Sequence, residues 1–205
     1  ERSMNTYLGA GADLGQGDVA PELFVGSKIL FLEGYLFDKD DGKSAFTAAA
    51  QSMRAAGGKA GITLSDPFCA DRHRSDFQRL VAEEMDFVLG NAAEWTTLYE
   101  TDDLDAALDQ ARAVCDTVGC TCAGEPVLLR RGNERVSVPV QKVVPGDATG
   151  AGDQFAAGFL YGFATGQSLD VCGRMGVIAA TEVIGHIGPR PKADLKTLFA
   201  GAGLL

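Results

Sequence analysis

Asp147-Ala148-Thr149-Gly150-Ala151-Gly152-Asp153, continued by Gln154-Phe155-Ala156-Ala157-Gly158-Phe159, is the stretch on which the reading of this chain turns. Small residues lead directly into a helical segment, Ala151–Ala164. The first turn of a helix carries backbone N–H groups with no partner inside the helix, and the helix dipole puts its positive end there. Together they make a concave anion site. An Asp in that turn would repel an anion. The conflict resolves if Asp153 takes a proton from a hydroxyl that attacks a phosphate bound in the turn. Taken as a bare Gly-x-Gly-Asp, the same residues also describe an Asp cap after a glycine turn.

Upstream of this stretch the chain alternates between strands and helices. Lys28–Phe37 is rich in β-formers and reads as a buried strand, and Ser44–Ala56 as an Ala-rich helix stopped by Gly57-Gly58. Ala60–Leu64 and Phe87–Leu89 read as further strands. Asp71–Met85 carries Phe77, Leu80, Val81 and Met85 at helical spacing, Asn91 opens the helix that holds Trp95, and Leu104–Val114 is amphipathic. Val127–Arg130 and Arg135–Val140 read as a hairpin turning at Gly132-Asn133. Ala151–Ala164, Leu169–Ile184 and a short helix near Leu195 complete the chain. Such alternation predicts an α/β fold, a mostly parallel sheet covered by helices, with residues 1–205 forming one domain.

Composition narrows the function classes. The 205 residues are 46% hydrophobic and 22% charged, an ordinary core-forming mixture that excludes disorder and collagen-like repeats. Lys and Arg total 18 against 28 Asp and Glu, a net charge of −10, which argues against nucleic acid as a partner. The longest apolar run, Ile29 to Leu36, is broken by Glu33 and too short to cross a membrane. The opening Glu1-Arg2-Ser3-Met4 lacks a signal-peptide pattern, so a cytoplasmic protein is expected. Cys69, Cys115, Cys120, Cys122 and Cys172 form no disulfide or zinc framework and read as reduced thiols, mostly buried. A faint dinucleotide fingerprint at Gly9–Gly15 has its last glycine displaced, and no P-loop motif exists.

The heptapeptide ending in Asp153, with its Phe-x-x-Gly-Phe continuation, resembles the second signature of the PfkB carbohydrate kinases, the ribokinase-like family that includes adenosine kinase, ribokinase and fructokinase. Met4–Ala10, Phe31–Tyr35, Ser65–Phe68, Asn91–Glu94 and His186–Pro191 follow in that family's order. The resemblance implies a ribokinase-like three-layer α/β/α sandwich. It also implies transfer of the ATP γ-phosphate to a primary hydroxyl of a sugar or nucleoside, with adenosine as the leading acceptor and ribose or fructose behind it.

Residue by residue, Asp153 matches the family's catalytic base, and the backbone N–H groups of Gly150, Ala151 and Gly152 match its anion hole. Asn91 and Glu94 match the Asn-x-x-Glu motif that holds Mg²⁺ and phosphates, largely through water, although Asn-x-x-Glu at a helix start is equally a capping box. Asp147 and Thr149, with His186 and Gly188, match a monovalent-cation site, with K⁺ as the expected ion. Thr121 and Gly124 fall in the nucleotide loop, Gly188 in the adenine-side loop, and Glu33 where sugar-kinase members contact substrate.

Two departures from the family pattern stand out. In Thr121-Cys122-Ala123-Gly124-Glu125-Pro126, proline takes the place of the family's last glycine and removes a backbone donor. The chain also has about two-thirds of the family's usual length and reads as lacking the N-terminal strands, the lid and a Gly-Gly/Asn substrate motif. That sustains a rival expectation, a non-catalytic nucleotide-binding fragment or a half-domain that depends on a partner. A homodimer is among the expected assemblies.

Overall fold

In the computed structural model, residues 7–205 are described; Met4, Asn5 and Thr6 of the family-like stretch Met4–Ala10 lie outside them. The ordered elements begin with short 3-10 turns between Gly9 and Phe24, followed by β1 (Ile29–Glu33), a further 3-10 turn (Gly34–Asp38) and α1 (Asp40–Ala55). Then come β2 (Lys59–Thr63), α2 (Pro67–Arg72), α3 (Arg74–Glu83), β3 (Phe87–Asn91), α4 (Ala92–Leu98), α5 (Leu104–Val114) and β4 (Thr117–Cys122). An antiparallel pair, β5 (Glu125–Arg131) and β6 (Glu134–Val138), precedes α6 (Ala151–Ala164), α7 (Leu169–Ile184) and α8 (Leu195–Gly201).

The six strands lie in sequential order, β1 to β4 parallel and β5 and β6 antiparallel. Both faces of the sheet are buried, which parallel strands with helical crossovers require. Leu32, Ile62, Val88, Val118 and Cys120 face a core shared with Phe46 of α1, Phe77 of α3, Trp95 of α4 and Leu108 of α5. Phe31, Phe87, Leu89 and Leu129 face the other way, against Phe155 and Phe159 of α6 and Cys172 of α7. The result is the three-layer α/β/α sandwich that the strand–helix alternation and the family resemblance predict.

Local chemistry explains where the elements depart from expectation. The strand expected over Lys28–Phe37 ends at Glu33. At Gly34 a Cβ would stand 2.8 Å from the Thr63 carbonyl oxygen and 2.9 Å from the Ser65 hydroxyl, so the chain turns there against its neighbour and Phe37 folds back onto Phe46 and Phe77. The helix expected over Asp71–Met85 is two helices, parted at His73, because Asp66 caps an earlier start; its side chain accepts the Cys69 N–H at 2.7 Å.

Strand β4 went unread in the sequence, and the expected nucleotide loop at Thr121–Pro126 is a hairpin. Ala123 (φ 44°) and Gly124 (φ 91°) make a two-residue turn of the left-handed kind that suits strand twist. The β4–β5 pairing shifts between Cys120 and Cys122, so that Pro126 and Val127 oppose the single residue Thr121. A bulge of this kind is where a strand tolerates proline. Around Gly9–Gly15 the described backbone is a 3-10 turn, with no strand among the described residues leading into it. No helix among the described residues is long and apolar enough to cross a membrane.

Candidate active site

The carboxyl ends of the parallel strands converge on one edge of the sheet, the place where ligands bind in open α/β folds. Glu33 of β1 stands beside Thr63 of β2, and Asn91 of β3 beside Thr121 of β4. Over this edge comes the first turn of α6. Between them lies a cavity of ≈ 310 Å³, which Glu33, Ser65, Asn91, Glu94, Thr121 and Asp153 help to line. A second cavity, of ≈ 530 Å³, opens on the other side of the same turn. Its walls are the Cys122–Glu125 hairpin tip, Val140–Pro145 and the α7 residues Val177, Ala180 and Ile184. Thr121, Ala148, Ala151, Gly152 and Phe155 line both cavities, so the α6 turn is their common wall.

Gly150 supplies the left-handed residue that starts α6, with φ 82°. A Cβ there would also lie 2.8 Å from the Cβ of Pro189 and 3.0 Å from its carbonyl oxygen, so the position is closed to side chains twice over. Gly152 is the opposite case, since a Cβ there would meet nothing within 4 Å. The protein's own packing does not require that glycine; the open space lies where both cavities meet. Ala151 N–H donates to the Ala148 carbonyl at 3.3 Å and Gln154 N–H to Gly150 at 2.9 Å. The N–H groups of Gly150, Gly152 and Asp153 have no acceptor among the described residues. Asp153 is exposed and does not cap the helix, whose first position has no side-chain cap.

Asp147 ties this loop to the chain that follows α7. Its carboxylate accepts the Thr149 N–H at 2.9 Å and the Gly188 N–H at 3.1 Å, while the Gln154 side-chain amide donates to the Pro189 carbonyl at 3.3 Å. Asp147, Thr149 and Gly188 are thus one cluster. His186 is at its margin, with Nε2 3.3 Å from the Glu182 carboxylate. That carboxylate also receives the Lys192 and Ala193 N–H groups, both at 2.9 Å. Its burial would raise its pKa, yet these backbone donors and His186 hold it below the ordinary range.

Asn91 and Glu94 form a complete capping box at the start of α4. Glu94 N–H donates to the Asn91 side-chain oxygen at 3.0 Å, and Asn91 returns its backbone N–H (2.8 Å) and side-chain NH₂ (2.7 Å) to the Glu94 carboxylate. Glu94 is only 4% exposed and still lines the smaller cavity. Burial is the main force pushing its pKa up to about 7; the Asn91 backbone donor opposes this, and the charges of Asp66 and Glu33 add to it. Burial likewise raises the pKa of Glu33, against a hydrogen bond from the Ser65 hydroxyl and with a further push from Asp153.

Ser65, which the sequence reading cited only for its place in the family's order, holds that cluster together. It adopts φ 70°, a conformation that only a surrounding structure maintains in a non-glycine residue. Its hydroxyl donates to Glu33 and its carbonyl accepts the Tyr35 hydroxyl at 3.2 Å. The apolar lining from Val140, Val143 and α7 was also missed, since none of it belongs to a motif. A Val-rich connector before the α6 turn was its only trace.

The sequence matches the pfkB family carbohydrate kinases over residues 1–196. The chain belongs to that family. Among solved structures, a probable sugar kinase from Rhizobium etli CFN 42 superposes with a TM-score of 0.95 at 41% identity, covering 100% of this chain and 62% of that one. An adenosine kinase from Sinorhizobium meliloti gives a TM-score of 0.94 at 44% identity, covering 98% of this chain and 62% of that one. An uncharacterized sugar kinase of Archaeoglobus fulgidus is 35% identical over 123 residues, 59% of this chain and 48% of the relative. The match to this pfkB family chain therefore covers 48% to 62% of the length of these relatives.

Proposed function

We propose that this chain carries the phosphoryl-transfer site of an ATP-dependent kinase whose acceptor is a primary hydroxyl of a sugar or nucleoside, adenosine first. The observation that carries the reading is the α6 turn. Its unpaired N–H groups border two cavities at once, with the exposed Asp153 carboxylate in the smaller, and membership of a kinase family supports reading these as nucleotide and acceptor sites. The larger, apolar-walled cavity suits the nucleotide, with Thr121 and Gly124 in its wall and Gly188 in the cluster tied to the anion turn. The smaller, carboxylate-lined cavity suits the acceptor, with Glu33 accepting hydrogen bonds from its hydroxyls.

In that arrangement Asp153 takes the proton of the attacking hydroxyl, and the turn formed by Gly150, Ala151 and Gly152 stabilises charge on the transferred phosphoryl group. The positive end of α6 contributes to the same stabilisation without reorganisation during the reaction. Open space above Gly152 lets phosphate oxygens approach the backbone. Asn91 and Glu94 would hold Mg²⁺ through bridging water, since both Glu94 oxygens already receive bonds from Asn91. Bound there, Mg²⁺ supplies charge neutralisation on the phosphates. Asp147, Thr149, His186 and Gly188 would flank a monovalent cation, K⁺, beside the turn; the Thr149 and Gly188 N–H bonds to the Asp147 carboxylate support this, with His186 at the margin of the cluster.

The rival reading, a non-catalytic nucleotide-binding fragment or partner-dependent half-domain, is not favoured, because it leaves the exposed Asp153 carboxylate in the smaller cavity without a use. ADP release from Mg-ATP over adenosine, inosine, ribose and fructose separates the two. Turnover with one acceptor is expected from the kinase; nucleotide binding with no turnover, in the chain restored to the length of its relatives, would favour the binder.

A further inference from the structure

Cys120 and Cys122 are a pair of thiols beside the site that the proposed chemistry leaves idle. Strand alternation puts both side chains on the same face of β4, and their sulfurs stand 3.7 Å apart. Cys120 is fully buried, in the core with Trp95 and Leu98, while Cys122 is half-buried at the strand's end. Between them lies Thr121, which lines both cavities, and Cys122 itself belongs to the wall of the larger one. Cys69, Cys115 and Cys172 are buried elsewhere and remain free thiols.

We propose that Cys120 and Cys122 are a reversible oxidation site, closing to a disulfide that deforms the nucleotide cavity. Residues two apart on one strand have Cα atoms roughly 6.6 Å apart, from two rises of about 3.3 Å, near the upper end of the disulfide range. Closing the bond therefore draws the end of β4 together. The ladder yields there, because the β4–β5 register is already broken between these two residues and Pro126 has no N–H to give. The segment that moves, Thr121 to Gly124, is cavity wall. The strain also keeps the bond easy to reduce.

The chemistry balances with a low-molecular-weight disulfide such as oxidised glutathione. The Cys122 thiol, held below its ordinary pKa chiefly by its contact with the Cys120 sulfur, ionises, attacks one glutathione sulfur and expels a glutathione thiolate. The Cys120 sulfur then attacks that of Cys122, its proton passing to solvent, and the second glutathione leaves. Two electrons pass from the protein to the glutathione disulfide.

The test equilibrates the protein in mixtures of reduced and oxidised glutathione, traps free thiols with an alkylating reagent and weighs the tryptic peptide Ala113–Arg130, which holds Cys115 as an internal control. The expected product is about 2 Da lighter than the dithiol, with Cys115 alkylated and Cys120 linked to Cys122. Cys120→Ser and Cys122→Ser should each abolish it. A peptide that stays triply alkylated in pure oxidised glutathione, stops at the mixed disulfide, or links through Cys115 overturns the site.

The coupling to the cavity rests on the nucleotide reading and has its own readout. Saturating Mg-ATP should shift the oxidation equilibrium toward the dithiol by on the order of tenfold, and oxidation should weaken Mg-ATP binding by the same factor. An unchanged equilibrium in a protein shown by titration calorimetry to bind Mg-ATP overturns the deformation. Absence of Mg-ATP binding by the reduced protein would instead overturn the nucleotide reading, leaving the disulfide to be judged by mass alone.

Discussion

Gly150 and Gly152, two residues apart in one turn, should respond to alanine in opposite ways. At Gly150 the substitution forces an L-residue to φ 82°, which costs roughly 1–2 kcal/mol. The new Cβ meets Pro189 at 2.8 to 3.0 Å, and overpacking of this kind costs about 1–3 kcal/mol. Pro189 has limited room to retreat, since Asp147 holds Gly188 and Gln154 holds the Pro189 carbonyl. Together these give a loss of about 2–5 kcal/mol, or roughly 4–20 °C in Tm for a chain of this size. Gly152→Ala meets nothing within 4 Å and should hold or slightly raise stability, by at most about 0.5–1 kcal/mol. On the proposed reading the same Cβ enters the space a phosphate would take, so Mg-ATP affinity should fall, and phosphoryl transfer with it, by on the order of 10²-fold. Urea unfolding and calorimetric titration with Mg-ATP read both variants. Equal destabilisation by the two, or normal Mg-ATP affinity in Gly152→Ala, would refute the assignment of one glycine to packing and the other to ligand.

Glu94 should leave a pH signature. Its folded pKa, about 7, lies above its ordinary value of 4.5, so the folded state binds the extra proton between them. Its contribution is thus present at pH 4.5 and below and lost as pH rises through 7; Glu94→Gln, which keeps the capping box, should be flatter in unfolding free energy over that window by about 3 kcal/mol. An identical profile in both proteins would count against a buried, protonated Glu94. Asp147→Ala should free the Gly188 segment, raising amide hydrogen exchange at Gly188 and Thr149 on the order of tenfold or more; protection unchanged at both would mean the carboxylate does not fasten the turn. Glu33→Gln should raise the acceptor KM more than it lowers kcat, and an effect confined to the KM for ATP would remove Glu33 from the acceptor side.

The sequence showed some elements sharply. Helices α5 and α7 begin and end where their apolar spacing and their caps, Asp103 and Ser168, put them. The Gly-rich turn and the helix behind it were legible because few sequences put so many small residues before a helix. Strand β4 was not legible. Thr117–Cys122 has little hydrophobic run, and Gly119 sits where a Cβ would lie 2.7 Å from Leu89 and 3.0 Å from Leu129. It is a strand because β3 and β5 flank it, a tertiary cause that a local pattern does not carry. With β4 unseen, the Thr121–Pro126 turn read as a loop.

The site followed the same division. Asp153, the turn before it and the Asn91–Glu94 box are contiguous in sequence and stood out. What joins Glu33 to Ser65, or Asp147 to Gly188, is the stacking of strand ends and the return of the chain after α7, separations of 32 and 41 residues. Much of the apolar wall of the larger cavity, from Val140 to Pro145 and from α7, likewise comes from segments that carry no motif.

The central claim is that Asp153 is the base of a phosphoryl transfer between two cavities that share the α6 turn. Its most direct test is ADP release by wild type and Asp153→Asn with Mg-ATP and the preferred acceptor, alongside calorimetric titration of Mg-ATP into both. The account predicts turnover lower by about 10²–10⁴-fold in Asp153→Asn, with nucleotide affinity retained or slightly improved. Equal turnover in the two proteins, or loss of nucleotide binding together with activity in a folded variant, would contradict it.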